Sequence, residues 1–187
     1  MNHAFNQRSK CAAFAWAAFA AMCTPSAWAH ASLEQPQAMA GAAYKAVVRI
    51  GHGCEGTATH TVVVQLPAGF RGAKPMPKAG WQLEVQTAPL AQPYTSHGRE
   101  VREDVVQVTW RASSREAWLA DAHYDEFVLR GRAPQQPGPA WFKVTQLCEK
   151  GRWDWAELPA SGTSTRGLKA PAVLLDVQPA AASGHVH

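Results

Sequence analysis

The sequence predicts an all-β protein that folds as an antiparallel β-sandwich of about seven strands. Short segments with apolar residues at every second position recur along the chain, and turn residues separate them. Helical periodicity is weak throughout. The length of 187 residues suits one domain of this kind, and an apolar content of 47% is too high for a wholly disordered chain.

The predicted strands occupy seven segments. In chain order they are residues 44–50, 57–66, 81–87, 101–112, 126–129, 140–147 and 153–158. The segment 101–112 is typical, because Val108 and Trp110 alternate with polar side chains. Turns rich in glycine and proline separate the strands at residues 51–53, 75–80, 134–139 and 151. Residues 74–80 are expected to form a surface loop, and the best helical candidate, 114–120, is short.

Residues 1–29 have the three parts of a secretory signal peptide. A polar start carries two basic residues, an apolar run follows at 11–22, and an Ala-Trp-Ala sequence ends at Ala29. We therefore predict cleavage between Ala29 and His30 and a periplasmic or secreted location. An uncleaved N-terminal anchor is the alternative, but the apolar run is short of the roughly 20 residues that a membrane span needs.

Cleavage would leave 158 of the 187 residues and lower the formal net charge from +4 to +2, because Arg8 and Lys10 leave with the signal. We predict a domain over residues 30–170 and a flexible C-terminal tail over 171–187, where strand signals are weak. The sequence shows no C-terminal apolar anchor, so the mature chain is expected to be soluble. Scattered basic residues and a small net charge argue against nucleic acid as a partner.

Two cysteines remain in the predicted mature chain, Cys54 and Cys148. In an exported protein, two cysteines far apart in sequence indicate one disulfide. The bridge would close a loop of about ninety residues and contribute about 4 kcal/mol to stability in the chain-entropy model. A metal site built on the two thiolates is the alternative, but the paired C-x-x-C spacing of such sites is missing.

Cleavage would also place His30 at the N-terminus, where one residue offers two nitrogen ligands. Its α-amine and its ring Nδ1 can chelate one metal ion together. Two nitrogens at one corner suit the tetragonal geometry of Cu(II), and copper has the highest affinity among the divalent first-row ions. Both groups lose a proton near neutral pH, which favours metal binding there. A histidine that follows the cleavage site by chance is the alternative.

Other candidate ligands have ordinary structural explanations. The segment 122–127 holds His123 and Glu126 beside an apolar strand start, where a carboxylate could bind metal or simply belong to a solvated loop. Trp153 and Trp155 lie on the same face of a predicted strand, which is more typical of a core or interface pair. The remaining histidines of the mature chain are His52, His60, His97 and the H-x-H pair His185 and His187.

Sequence motifs of common enzyme classes are missing. The chain has no G-x-S-x-G nucleophile motif and no H-E-x-x-H zinc motif. If the disulfide forms, no cysteine of the mature chain is available as a nucleophile. The protein is therefore not expected to be an enzyme, and no catalytic residue is predicted.

Seven short motifs follow one another in a specific order. They are His30 directly after the signal, His52-Gly53-Cys54 with Thr57 and Thr59, Pro67-Ala68-Gly69, Gly80-Trp81, Asp125-Glu126-Phe127, Gln146-Leu147-Cys148 and Trp155-Ala156-Glu157-Leu158-Pro159. In order and spacing the set resembles the YcnI family of exported copper-binding proteins. The resemblance covers residues 30–159, which is most of the mature chain. Each motif alone is common, and the shared order behind a signal peptide makes the match specific.

The resemblance implies an immunoglobulin-like β-sandwich, in agreement with the strand pattern. It also implies a Cu(II) site of the monohistidine-brace type, with His30 as a two-nitrogen ligand and Glu126 as the carboxylate ligand. The tryptophan beside the metal matches Trp155, with Trp153 as the alternative. The two cysteines match positions that the family is expected to bridge. Many relatives carry a C-terminal membrane anchor, and in this respect the sequence departs from them.

The expected function is that of a periplasmic Cu(II)-binding protein for copper buffering, acquisition or delivery. A periplasmic copper chaperone or a membrane copper transporter would be its exchange partner. A copper-dependent oxidative enzyme is one alternative, and it would need a second histidine on the metal, as in polysaccharide-cleaving enzymes with an N-terminal brace. Its candidates are His52, His60, His97 and His123. A β-sandwich interaction module without metal is the other alternative.

Overall fold

The computed structural model describes residues 30–180 of the chain. The predicted signal peptide at 1–29 and the end of the predicted tail, with His185 and His187, lie outside the described residues. Strands account for nearly all regular structure in the described part, which confirms the predicted all-β class. One short 3-10 turn, Arg115–Ala117, falls inside the helical candidate 114–120. No helix in that part is long and apolar enough to cross a membrane.

Eleven strands form the fold within residues 30–180. They are β1 Ser32–Leu33, β2 Gln37–Met39, β3 Ala43–Ile50, β4 Thr59–Gln65, β5 Arg71–Pro75, β6 Trp81–Ser96, β7 Arg99–Ala112, β8 Asp125–Arg132, β9 Gly138–Cys148, β10 Arg152–Trp155 and β11 Val173–Gln178. Each of the seven predicted segments overlaps one of these strands. The prediction lacks β1, β2, β5 and β11, and β5 ends inside the segment 74–80 that was expected to be a loop.

The strands form two sheets. A four-stranded sheet has the order β1-β3-β8-β5, and a larger sheet has the order β2-β11-β9-β4-β7-β6. Strand β10 pairs with the second half of β9, while β11 pairs with its first half. All pairings between these strands are antiparallel except that of β2 with β11. Two sheets that share one core, antiparallel apart from this one pairing, form the predicted sandwich.

Alternating apolar residues from both sheets build the core. Val62 and Val64 of β4 and Trp110 of β7 are fully buried on the inner face of the larger sheet. Phe127 and Leu129 of β8 are equally buried on the facing sheet. The Phe127 ring meets the Trp110 ring edge to face at a centroid distance of 5.6 Å. Every second residue of these strands is apolar and points into the core, so each sheet has one apolar face, and the two apolar faces pack against each other.

Strand β11 corrects the predicted domain boundary at residue 170. Val173, Leu175 and Val177 are buried, and the strand pairs with β9 on one side and β2 on the other. The expectation of a flexible tail is therefore wrong for Val173–Gln178. The physical reason is that this short segment completes the larger sheet, where its apolar positions cover part of the core.

The predicted disulfide joins Cys54 and Cys148, with their Cα atoms 5.7 Å apart. It ties the loop before β4 to the end of β9, and both cysteines are buried. The bridge closes a loop of 94 residues. Because both sulfur atoms are in the bridge, neither cysteine is available as a thiolate ligand. The alternative of a metal site built on the two thiolates is therefore excluded.

Candidate metal centre

His30 lies two residues before the start of β1, at one end of the sandwich. The next residue, Ala31, is buried, and Leu33 also faces the core, so β1 anchors the chain beside the small sheet. The imidazole of His30 packs edge to face against the indole of Trp155, with ring centroids 5.6 Å apart. The structure therefore brings together two of the three residues that the sequence analysis selected for the metal site.

Trp155 ends β10 and is only 3% exposed. The Trp153 ring stacks on it at a centroid distance of 4.9 Å with an interplanar angle of 20°. The two tryptophans thus form the aromatic pair that their spacing predicts. Of the two, it is Trp155 whose ring contacts His30, and this favours it over Trp153 as the neighbour of the candidate site.

His52 is the second histidine beside this indole, with its ring centroid 6.2 Å from that of Trp155. Its Nδ1 lies 2.6 Å from the carbonyl oxygen of Gly53. Because a carbonyl only accepts hydrogen bonds, Nδ1 must carry the proton, and the neutral ring then has its lone pair on Nε2. A histidine fixed in this way by a backbone carbonyl is prepared to be a metal ligand.

Gly53 is required by the tight loop that positions His52. A Cβ atom at this position would lie 1.8 Å from the carbonyl oxygen of Thr57. The Gly53 N–H donates to Oδ1 of Asp121 at 2.9 Å, which further fixes the loop. The glycine spacing at 51–56 fits G-x-G-x-x-G, but the segment leads into strand β4. It therefore lacks the helix N-terminus that binds phosphate in dinucleotide sites.

Gln146 connects His52 to Trp155 from inside the core. Its side chain is 1% exposed and its amide is fully engaged. Nε2 donates to the His52 carbonyl at 2.6 Å and to Oγ1 of Thr59 at 2.7 Å. Oε1 accepts the Trp155 Nε1–H at 3.3 Å. The sequence analysis named Gln146 only as part of the Gln146-Leu147-Cys148 motif and gave it no role. A glutamine at an inward position of β9, after Phe142 and Val144, is nevertheless a visible break in an apolar row.

Glu126 lies on the outer face of the small sheet. It is opposite Arg49 in the register of β3 with β8, and Arg49 is opposite Ser32 in the register of β1 with β3. Arg49 donates from Nε to Oε1 of Glu126 at 3.1 Å and from a terminal nitrogen to Glu34 at 2.9 Å. Strand β3 therefore lies between Glu126 and β1. Glu126 is level with Ser32, two residues after His30, and the Arg49 guanidinium binds one of its oxygens.

The other histidines of the described chain lie elsewhere. His60 packs on Trp118 at 5.2 Å and bonds to Oγ1 of Thr61. His97 occupies the turn between β6 and β7 with a positive φ of 49°. His123 follows Asp121 in the loop before β8. Within residues 30–180, no three His, Cys, Asp or Glu side chains form a group that could hold a metal ion. A histidine brace needs fewer side chains, because the α-amine supplies one ligand.

Comparison with known protein families assigns the chain to a family. A domain of unknown function, DUF1775, matches residues 30–177. The chain belongs to the DUF1775 family. The part matched by DUF1775 runs into β11, in agreement with the corrected domain boundary. Comparison with curated proteins gave no match.

Three solved structures are similar to this DUF1775 chain to different degrees. An uncharacterised protein from Nocardia farcinica, described as having an immunoglobulin-like fold, superposes with a TM-score of 0.60 at 22% identity, over 79% of this chain and 97% of that one. A type I cohesin from Pseudobacteroides cellulosolvens reaches a TM-score of 0.40 at 9% identity, over 84% and 97% of the two chains. A cohesin from Archaeoglobus fulgidus reaches 0.37 at 7% identity, over 81% and 83%. The first of these supports the immunoglobulin-like class, as predicted.

Proposed function

We propose that this DUF1775 protein is an exported Cu(II)-binding protein of the YcnI type, which buffers, acquires or delivers copper. The observation that carries the proposal is the contact of the His30 ring with Trp155 at the end of the sandwich. Cleavage of the predicted signal peptide would give His30 a terminal α-amine at this same place. One residue would then present two nitrogen ligands beside a rigid aromatic wall.

The donor set suits Cu(II) better than Cu(I). An amine, an imidazole and a carboxylate are ligands that Cu(II) prefers, whereas Cu(I) prefers thiolate and thioether sulfur. Both described cysteines are joined in the disulfide, so no thiolate competes for the ion in residues 30–180. His30 would supply the two nitrogens and Glu126 the oxygen.

Arg49 bears on how Glu126 would act. Its Nε holds Oε1 of Glu126, and its terminal nitrogen is held in turn by Glu34. This contact restrains the carboxylate through one of its oxygens, Oε1. A carboxylate restrained in this way would need less ordering when it binds a cation.

Trp155 would shield one side of the ion from water. The indole cannot move freely, because Trp153 stacks on its face and Gln146 accepts its N–H. A fixed apolar wall limits the access of solvent and of reductants to the ion. This is the behaviour expected of a protein that carries copper rather than reacts through it.

The test is a Cu(II) titration of the chain beginning at His30, followed by electron paramagnetic resonance. We expect one tightly bound Cu(II) per chain with nitrogen couplings. One alanine added before His30 should abolish the tight site, because the α-amine is then an amide. Glu126→Gln should weaken the affinity by about tenfold or more. His60→Gln is the matched control, since His60 packs on Trp118 away from the site, and it should leave the affinity unchanged.

Two results would reject the proposal. One is the absence of stoichiometric copper uptake by the chain beginning at His30, which would return the protein to the class of metal-free interaction modules. The other is tight binding that persists after the alanine extension. Trp155→Phe tests the shielding role separately, and an unchanged copper spectrum and reduction behaviour would remove that role alone.

His52 supports a second candidate function, a copper-dependent oxidative enzyme. Its Nδ1–H is fixed on the Gly53 carbonyl, and its ring lies against the same indole as the His30 ring. Oxidative cleavage of a polysaccharide by the copper-loaded protein with a reductant would establish this class, provided that His52→Gln abolishes it. If His52→Gln leaves copper binding unchanged and the copper-loaded protein oxidises no polysaccharide, the enzyme function is rejected and the carrier function stands.

A further inference from the structure

The outer face of the four-stranded sheet carries a set of cations that the proposed copper site does not use. Lys45 of β3 and Lys74 of β5 both pair in register with Arg130 of β8, so three cations share one row across three strands. In the neighbouring row, Arg71 of β5 pairs with Arg132 of β8. Adjacent strands are about 4.8 Å apart, which places these charges side by side.

This arrangement costs folding energy unless something compensates it, because like charges directly opposite each other destabilise a sheet. Within residues 30–180, none of the five cations forms an ion pair with a carboxylate. On the same face, Arg49 of β3 is instead paired with Glu34 and Glu126. One end of this face is therefore neutralised by carboxylates while the other end is left positive.

The positive end borders a cavity of about 360 Å³. Four of the five cations line it, and the end of the β6–β7 hairpin closes one side with Tyr94, Ser96 and His97. No carboxylate is among its lining residues. We term this cavity the basic groove, defined by Arg71, Lys74, Tyr94, Arg130 and Arg132.

The basic groove is held in shape by contacts from below. The Arg71 guanidinium lies over the Tyr94 ring, 4.7 Å from its centroid. The Tyr94 hydroxyl donates to Oδ2 of the buried Asp104 at 2.7 Å, and the Gly72 N–H donates to the same oxygen at 2.8 Å. Asp104 is thus occupied with fixing the wall and the strand. On the other side, a terminal nitrogen of Arg132 donates to the Gly41 carbonyl at 3.0 Å.

We propose that the basic groove binds a phosphate-bearing ligand with at least two negative charges. Guanidinium groups match the oxygens of phosphate with paired N–H donors, and three of them with one ammonium surround the cavity. A bound polyanion would remove the repulsion between the opposed cations, which explains why the fold keeps them unpaired. A free polyphosphate-like anion carries these charges on one molecule, and neighbouring headgroups of anionic phospholipids supply them together. The proposal is independent of copper.

The experiment titrates the metal-free chain that begins at His30, with a chelator present. Sodium tripolyphosphate is the soluble probe, and vesicles of phosphatidylglycerol are compared with vesicles of phosphatidylcholine. Binding is measured by calorimetry and by amide NMR shifts. We expect a saturable site with shifts at β5 and β8, weakened by added salt because the contacts are ionic. The double variant Arg130→Gln, Arg132→Gln should lower the affinity by about tenfold or more.

The matched control removes two charges elsewhere. Arg166→Gln with Lys169→Gln changes two exposed cations of the loop before β11 and should leave the affinity unchanged. The groove variant should also melt at the same or a higher temperature than the parent, because three unfavourable like-charge pairs are relieved. Should it fail to fold, Lys74→Gln serves as the single substitution at the same site.

Each outcome decides the proposal. Loss of tripolyphosphate binding in the groove variant alone supports it with a soluble ligand as the source. Binding confined to phosphatidylglycerol vesicles and lost in the groove variant supports it with a lipid headgroup as the source. Equal losses in the groove and control variants, or no saturable binding of either probe, would overturn it.

Discussion

At the scale of single residues, the buried polar groups decide how the candidate site is arranged. Gln146 joins three partners that come from different parts of the chain: the His52 carbonyl, Thr59 and the Trp155 indole. A buried amide with all its hydrogen bonds made fixes its neighbours in one arrangement, and each lost partner leaves a buried polar group unpaired. Gln146 is therefore a positioning residue for the site.

Gln146→Leu should lower the free energy of unfolding by about 1–3 kcal/mol, because the Trp155 N–H and the Thr59 hydroxyl lose their partner inside the core. Urea unfolding followed by tryptophan fluorescence measures this. Gln65→Leu is the control, since Gln65 is an exposed glutamine at the end of β4. Equal stability of the Gln146 variant and the parent would show that the network does not fix the site.

Tyr44 provides a pH-dependent contribution to stability. Burial, and next the nearby Glu34 charge, raise the pKa of Tyr44 from 10.0 to about 12. The unfolded chain therefore releases this proton at a lower pH than the folded chain, so stability falls as the pH rises from about 10 to about 12. Below pH 10 the contribution is constant.

The measurement is urea unfolding of the parent and of Tyr44→Phe between pH 8 and pH 12. The substitution also removes the hydrogen bond from the Tyr44 hydroxyl to the Gln35 carbonyl, which lowers stability at every pH. The difference between the two proteins should shrink above pH 10. A constant difference over the whole range would contradict the raised pKa.

At the scale of the elements, β11 shows how a short terminal strand completes the sheet. It lies between β2 and β9 and covers the core with Val173, Leu175 and Val177. Burial of such a side chain contributes about 1.5–3 kcal/mol. Three of them approach the whole net stability of an ordinary domain, which is about 5–15 kcal/mol.

A chain ending at residue 170 should therefore be unfolded or aggregated, because the first half of β9 loses its partner and part of the core is exposed. A chain of residues 30–180 keeps β11 and should unfold at the same temperature as the chain of residues 30–187. Circular dichroism during heating and gel filtration compare the two. A soluble, cooperative fold of the shorter chain would contradict the importance of β11.

At the scale of the whole molecule, the disulfide ties the site loop to the larger sheet. It closes a loop of 94 residues, so in the chain-entropy model it contributes about 4–5 kcal/mol to stability. The same bridge holds the segment that carries His52 close to the end of β9, where Gln146 lies. Its loss should affect both stability and the candidate site.

Cys54→Ala with Cys148→Ala should lower the free energy of unfolding by about 4 kcal/mol, with the largest part of the effect on the unfolded chain. Urea unfolding of the double variant and of the parent, each with and without reductant, measures this. Reductant should destabilise the parent and leave the variant unchanged. If the double variant is as stable as the oxidised parent, the disulfide does not contribute to the free energy of unfolding, and the prediction is wrong.

The sequence alone determined the fold class, the seven main strands and the bridge between Cys54 and Cys148. These depend on local periodicity and on the chemistry of two cysteines, and both can be read along one chain. Short strands such as β1, β2 and β11 could not be predicted in this way. They are stabilised by their partners in the sheet rather than by their own pattern.

Only the tertiary structure decided which candidate residues meet. It brought His30 against Trp155, added His52 and Gln146 from distant segments, and gave Glu126 a partner in Arg49. It also placed cations from three strands in one row. Strand register and sheet order create these contacts, and they depend on how the whole core packs, so a pattern within any one segment does not contain them.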